Sequence, residues 1–319
     1  MFSKLLKIAG VLLAVLVVAL VGVLCYLKFA LPKAAPAPAL AVSSTPAAIE
    51  RGRYLANHVA VCIDCHSQRD WSRFSGPLVA GTEGQGGESF DQRFGFPGAF
   101  IARNITPAAL GTWTDGEIYR SITTGVSRDG HALFPIMPYP NFGRMAEDDV
   151  RAIIAYLRTL APIAHDVPPS HADFPVNFLI NTMPAPAAPE PRPDPRYLAT
   201  VASCAVCHTR AEHGKAVGAP FAGGFAFDLG NGHVVRSPNL TPDSTGLKGM
   251  TKAEFLARFQ RYRDPARPPA VDMAKGEFQT VMPWSMYAGM TDADLGAIYD
   301  YLRTLPPVAN TVERWSTKR

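Results

Sequence analysis

Two pentapeptides of one spacing constrain this chain more than anything else in it: Cys62-Ile63-Asp64-Cys65-His66 and Cys204-Ala205-Val206-Cys207-His208. They take four of the five cysteines, and the fifth, Cys25, lies in an apolar run. A disulfide framework would leave an odd cysteine and dismantle both motifs. A zinc site would bring a second Cys pair or spaced histidines close behind each motif, and neither follows.

Covalent attachment of a porphyrin answers to this spacing. Two thiols separated by two residues reach the two vinyl groups of one haem, and the adjacent imidazole falls beneath the iron. Cys62, Cys65, Cys204 and Cys207 are therefore the expected attachment points of two haem c groups, with His66 and His208 as proximal ligands. A low-spin electron-transfer haem commonly takes a methionine sulfur on its other side. Met137 and Met282 each precede proline, which holds them in extended loops able to cross a haem face. They are favoured over the second recurring pair, Met145 and Met290, which sit where core methionines are expected.

The motifs belong to an internal repeat. Each half opens with Arg-Tyr-Leu-Ala (Arg53 to Ala56, Arg196 to Ala199) and carries a loop tetrad, Asn104-Ile105-Thr106-Pro107 or Asn239-Leu240-Thr241-Pro242. Met137–Leu160 and Met282–Leu305 align without a gap, and 11 of 24 positions are identical. Val150, Ile153, Ile154 and Leu157 fall on one face at helical spacing, as do Leu295, Ile298 and Leu302. Thr114 to Glu117 and Thr251 to Glu254 have the form of capping boxes that open a middle helix. Little strand pattern is visible. The expected fold is all-α, with long Gly/Pro-rich loops at 75–112 and 214–249 wrapped around the cofactors. Asn104, Asn239 and Trp113 are candidates for hydrogen bonds to haem propionates, with turn and core roles as the alternative.

Ile8 to Leu27 is a run of 20 residues without a charge, long enough to cross a bilayer as a helix. Its length favours an uncleaved anchor over a signal peptide, although Ala35-Pro36-Ala37 is a passable cleavage site. Haem attachment in bacteria takes place outside the cytoplasmic membrane, which puts the N-terminus inside and the haem sites in the periplasm. The formal charge of +4 is matched by Lys4, Lys7, Lys28 and Lys33, all within the first 46 residues. No concentrated basic stripe of the kind nucleic acid requires is left over. The expected organisation is a transmembrane anchor at 1–30, an Ala/Pro tether at 31–46, a first domain at 47–165, a Pro-rich linker at 166–195, a second domain at 196–310 and a tail at 311–319.

The paired motifs, the Asn-[Ile/Leu]-Thr-Pro loops, the Met-Pro-[Tyr/Trp] turns and the closing Tyr-Leu-Arg-Thr-Leu segments together resemble one family. It is that of membrane-anchored dihaem and multihaem cytochrome c subunits of bacterial periplasmic alcohol, aldehyde or gluconate dehydrogenases. The resemblance covers residues 47–310. It implies two tandem class I cytochrome c domains, with His66/Met137 and His208/Met282 as axial pairs. It also implies a dehydrogenase as donor and a cytochrome, oxidase or other respiratory-chain component as acceptor. Many such subunits carry three motifs, whereas this chain has two. Gly52 precedes Arg-Tyr as in the family, but Pro195 stands there in the second half, and Trp113 aligns with Met250, so the two sites are expected to differ. The function expected is electron transfer without substrate turnover by this chain. The rival is a dihaem peroxidase, which needs an iron with an open sixth position.

Replacing Cys204 and Cys207 by Ala should remove one of two covalent haems and leave the absorption spectrum of the first half intact. Haem quantified per chain after denaturation checks this.

Overall fold

Apolar side chains at helical spacing behind acidic first turns predict a closing helix in each half. The computed structural model, which describes residues 2–192, 194–212, 214–230, 232–264 and 268–317, has these helices at Glu147–Leu157 and Asp292–Arg303. Val150, Ile153, Ile154, Leu157, Leu295, Ile298 and Leu302 are all buried, each worth roughly 2 kcal/mol of transfer free energy. The middle helices, Asp115–Thr124 and Lys252–Gln260, begin with complete capping boxes at Thr114/Glu117 and Thr251/Glu254. The opening helices are Pro46–Tyr54, continued by a π-helical turn at Leu55–Val59, and Tyr197–Val201. Gly52 lets the first of these lie on its closing helix, since a Cβ there would sit 1.8 Å from the Ala152 carbonyl oxygen. One hydrophobic core runs through both halves, from Leu55, Ile63 and Ile153 to Val201, Phe255 and Leu295.

The arginine of each Tyr-Leu-Arg-Thr-Leu segment ties the closing helix to the loop before the middle helix. Arg158 donates to the Leu110 carbonyl at 2.7 Å and pairs with Asp115 at 2.8 Å. Arg303 donates to the Leu247 carbonyl at 3.0 Å.

The expectation of an all-α chain needs correction. Among the described residues, short antiparallel strands, most of them in the long loops, form three small sheets. Ser89–Phe90, Gly98–Ile101 and His171–Ala172 form one, and Ala211–Glu212 pairs with Lys215–Ala216. The hairpin Ala226–Asp228/His233–Arg236 is extended by Trp315–Thr317. Strands of two to four residues carry too few positions to display a period of two, so no sequence pattern marks them. The segment expected as a tail therefore completes a sheet, and its residues 318 and 319 lie outside the described residues. The linker contributes His171–Ala172 to the first sheet, and Ala188 and Glu190 N–H donate to the Gly143 and Arg144 carbonyls at 2.8 and 2.9 Å. The tether is likewise laid along the first half. Val42 N–H donates to Asp115 at 3.0 Å, and Pro38 lies so close that a Cβ at Gly116 would be 1.8 Å from its carbonyl oxygen. Ahead of it, the apolar helix Phe2–Cys25 and a π-helical turn to Ala30 stand apart from the core, long and apolar enough to cross a membrane.

The halves are joined by a reciprocal exchange of tyrosines. Tyr197, on the second opening helix, donates to Asp149 at 2.6 Å and accepts from the Ala146 N–H at 3.1 Å. Tyr54, on the first, donates to Asp294 and accepts from the Thr291 N–H at 3.2 Å. Ala146 and Thr291 are the N-cap positions of the two closing helices. Each hydroxyl thus bridges an orphan amide and a carboxylate at the helix start, a role otherwise met by local capping. Arg51 adds a two-pronged pair to Asp149 at 3.0 and 2.9 Å. Beside this contact His58 donates from Nδ1 to the Met286 carbonyl at 2.9 Å, against Gly289, where a Cβ would meet the ring at 2.1 Å.

Tyr54→Phe and Tyr197→Phe should each cost about 1 kcal/mol by removing the hydrogen bonds at one helix start, Asp149 keeping its Arg51 partner, read from urea unfolding. Burial holds the His58 imidazole below its ordinary value of 6.5, against the Met286 carbonyl, which favours the proton. The unfolded chain therefore takes up a proton that the folded chain refuses as pH falls below 6.5, and stability drops until the lower folded pKa is passed. His58→Asn should flatten that slope in unfolding curves recorded between pH 7.5 and 5.

Candidate functional site

Each Cys-x-x-Cys segment forms one helical turn, Cys62–Cys65 and Cys204–Cys207, which brings the two thiols of a pair to one side. The residue before each turn is left-handed, Val61 at φ 48° and Ser203 at φ 55°, a conformation that non-glycine residues rarely adopt. Burial holds the thiols protonated: the pKa is pushed up to about 12 at Cys62, Cys65 and Cys204 and to about 11 at Cys207.

The two histidines are oriented alike. His66 donates from Nδ1 to the Arg103 carbonyl at 2.6 Å, and His208 donates from Nδ1 to the Pro238 carbonyl at 2.9 Å. Neither outer nitrogen has a hydrogen-bond partner among the described residues. Burial drives both imidazoles toward the neutral form, His208 to about 4, with Arg314 adding to the effect and the Pro238 carbonyl opposing it. A neutral ring whose inner N–H is spent on a carbonyl presents its other nitrogen as a metal ligand.

The loop tetrads set those carbonyls, since Arg103 and Pro238 immediately precede Asn104 and Asn239. Asn104 Oδ1 accepts from the Thr106 N–H and hydroxyl at 2.9 and 2.7 Å, and its amide donates to the Ile163 carbonyl at 2.8 Å. Asn239 repeats this with Thr241 at 2.9 and 2.8 Å and the Val308 carbonyl at 2.7 Å. Of the two roles the sequence left open for these asparagines, the loop-building one holds: their side chains are buried and engaged with their own loop and the segment after the closing helix. Two glycines escaped the sequence reading. The His66 and His208 carbonyls accept from Gly86 and Gly223 N–H, both at 2.8 Å. A Cβ at either would lie within 2.6 Å of backbone atoms of the tetrad loop, and both have φ near +75°. Glycine placement in a long loop was the only available signal.

Met137 and Met282 occupy matching turns. Tyr139 N–H donates to the Met137 carbonyl at 2.7 Å and Trp284 N–H to the Met282 carbonyl at 2.8 Å. The intervening prolines, at φ −78°, ψ 53° and φ −79°, ψ 68°, form inverse γ-turns. Both methionines are half-buried against the core. Met145 and Met290, in contrast, are 1 % and 2 % exposed, inside the hydrophobic core. Trp113 is half-buried against the core, with Arg128 6.0 Å from its ring.

The donor set suits a covalently held haem: paired neutral thiols, an imidazole with an open nitrogen and a soft thioether. Two buried hydroxyls without a partner, Tyr139 and Ser203, flank a candidate methionine and a candidate cysteine and leave polar capacity for a bound group. Tyr287 is buried in the shared core. Burial raises its pKa well above the ordinary value, and the fields of Cys204, Cys207, Asp64 and Cys65 add to this. Its hydroxyl donates to the Ala202 carbonyl at 2.7 Å.

Comparison with known proteins agrees with this geometry. The cytochrome c family pattern matches residues 197–306. The cytochrome c subunit of the quinone alcohol dehydrogenase of Gluconacetobacter polyoxogenes is 28% identical over 84% of this chain and 59% of its own length. The fructose dehydrogenase cytochrome subunit of Gluconobacter japonicus is 26% identical over 88% of this chain and 57% of its own. The chain thus spans a little under three-fifths of these relatives. A diheme cytochrome c-type protein of Cereibacter sphaeroides is 25% identical over 77% of this chain and 82% of its own length. The chain carries a cytochrome c domain and is a homologue of the cytochrome c subunits of quinone alcohol and fructose dehydrogenases.

Proposed function

We propose that the chain is a membrane-anchored two-haem electron relay built from tandem class I cytochrome c domains at 47–165 and 196–310. The observation that carries this is the matched pair of histidines, each directly behind a cysteine pair, each held by a tetrad-loop carbonyl and each with an open outer nitrogen. The diheme cytochrome c-type relative from Cereibacter sphaeroides, matched over 82% of its length, supports two haems.

In this scheme Cys62, Cys65, Cys204 and Cys207 would hold the porphyrins, and His66 with Met137 and His208 with Met282 would ligate the two irons. When bound, the haem iron supplies a one-electron couple. The protein's part is to fix potential and distance. The Arg103 and Pro238 carbonyls orient the imidazoles and raise their basicity. The thioethers hold the potential above that of a bis-histidine site. The core around Ile63, Val59, Tyr287 and Leu295 keeps water from the space between the sites. Residues 1–30 tether the relay to the cytoplasmic membrane with the N-terminus inside. The donor is a periplasmic dehydrogenase, and electrons leave toward the respiratory chain.

Met137→Ala and Met282→Ala should each lower the potential of one haem, remove about half of the sulfur-to-iron charge-transfer absorption and open that iron to carbon monoxide. If Met145→Ala does so instead, the axial assignment is wrong. A stable high-spin haem in the unaltered protein would favour a peroxidase over a relay.

A further inference from the structure

The two methionine turns match in shape but not in what holds them. Among the described residues, the Met137 carbonyl and the Tyr139 N–H have only each other across their turn. The Met282 turn is gripped from the opposite half of the molecule. The Ser75 hydroxyl donates to the Met282 carbonyl and accepts from the Trp284 N–H at 3.1 Å, so one oxygen spans the turn. Ser75 N–H donates to Gln279 Oε1 at 2.8 Å, and the Gln279 amide donates back to the Arg73 carbonyl at 2.9 Å. Ser75 and Gln279 are 2 % and 1 % exposed.

Ser75 is itself placed by the first cysteine motif. Asp64, the variable residue just before Cys65, is buried and pairs with Arg69 at 3.1 Å. Arg69 donates to the Ser75 carbonyl at 2.7 Å and to the Gly76 carbonyl at 2.9 Å. Its guanidinium lies 4.1 Å from the centre of the Trp71 ring. Ser75 sits at φ 66°, a strained conformation for serine that persists only where its surroundings over-determine it. In the second motif the position of Asp64 is taken by Val206, which is exposed. The strut therefore runs one way, from the first motif to the second methionine.

We propose that Ser75 is a positioning residue for the second site: through the Asp64–Arg69 pair, the first half holds the Met282-Pro283-Trp284 turn so that the Met282 sulfur faces the iron carried by Cys204, Cys207 and His208. This rests on Met282 being that iron's ligand. A sulfur–iron bond responds to small displacements of the loop bearing it, so the Oγ bridge sets the potential of the second haem and leaves the first alone.

The test uses the full chain in detergent with both haems attached. Ser75→Gly tolerates the left-handed backbone and removes the hydroxymethyl group that bridges the turn. It should cut the near-infrared sulfur-to-iron absorption toward half and lower one of the two midpoint potentials, with the other potential and the covalent haem per chain unchanged. Arg69→Lys keeps the charge beside Asp64 but cannot reach both carbonyls. It should act in the same direction, and it carries the test alone if Ser75→Gly does not accumulate. Unchanged spectra and potentials, or equal effects on both haems, overturn the proposal. The Met282→Ala spectrum separates the two levels. If it keeps the full absorption, the ligand assignment has failed and the strut falls with it; if it loses half while Ser75→Gly loses none, only the strut is wrong.

Discussion

The hydrogen bond from the inner nitrogen of each motif histidine to a loop carbonyl is the contact around which each half is organised. It fixes the tautomer and rotation of a ring that burial keeps neutral, and turns the other nitrogen outward. The carbonyl is dependable because an asparagine and a threonine two residues later have no freedom: their polar atoms are engaged with each other and with the strand of chain leaving the closing helix. Histidine, tetrad loop and chain exit form one chain of dependence, and it occurs twice with distances that differ by a few tenths of an ångström. Glycines at 86 and 223 belong to it, because a side chain there would push the loop off the motif.

A second constraint makes one body of the two copies. Each closing helix starts with an amide and a carboxylate that are satisfied by a tyrosine from the other copy. The residues concerned, Tyr54 with Asp294 and Tyr197 with Asp149, are at equivalent places in the repeat, so the junction has approximate two-fold symmetry. A core shared by both halves, with Tyr287 buried in it, accompanies that arrangement. The symmetry breaks at Arg51, at Asp64 and at the Ser75 strut. These residues make the two halves of a repeated architecture chemically distinct.

The helices were legible because their causes are local. A capping box needs four consecutive residues, and an apolar stripe needs one or two turns. The cysteine motifs were legible because their chemistry needs a fixed spacing along the chain. The small sheets were not, since two-residue strands have no pattern and depend on a partner from elsewhere, as when Trp315–Thr317 completes a hairpin some 80 residues earlier. The Pro-rich stretches read as spacers because composition reports stiffness and not whether a nearby surface offers donors. Asn104 illustrates the same limit. The tetrad was found by repetition, but its role became clear only with Ile163 beside it.

By itself the sequence determined the paired Cys-x-x-Cys-His motifs, the repeat, the apolar helix and the positions where helices begin and end, because each is written in neighbouring residues. Only the tertiary structure decided which carbonyl each histidine meets, which tyrosine caps which helix and which half supports the Met282 turn. Those contacts join residues between about 30 and 240 positions apart. Chain spacing carries no information about them until packing brings the partners within hydrogen-bond distance.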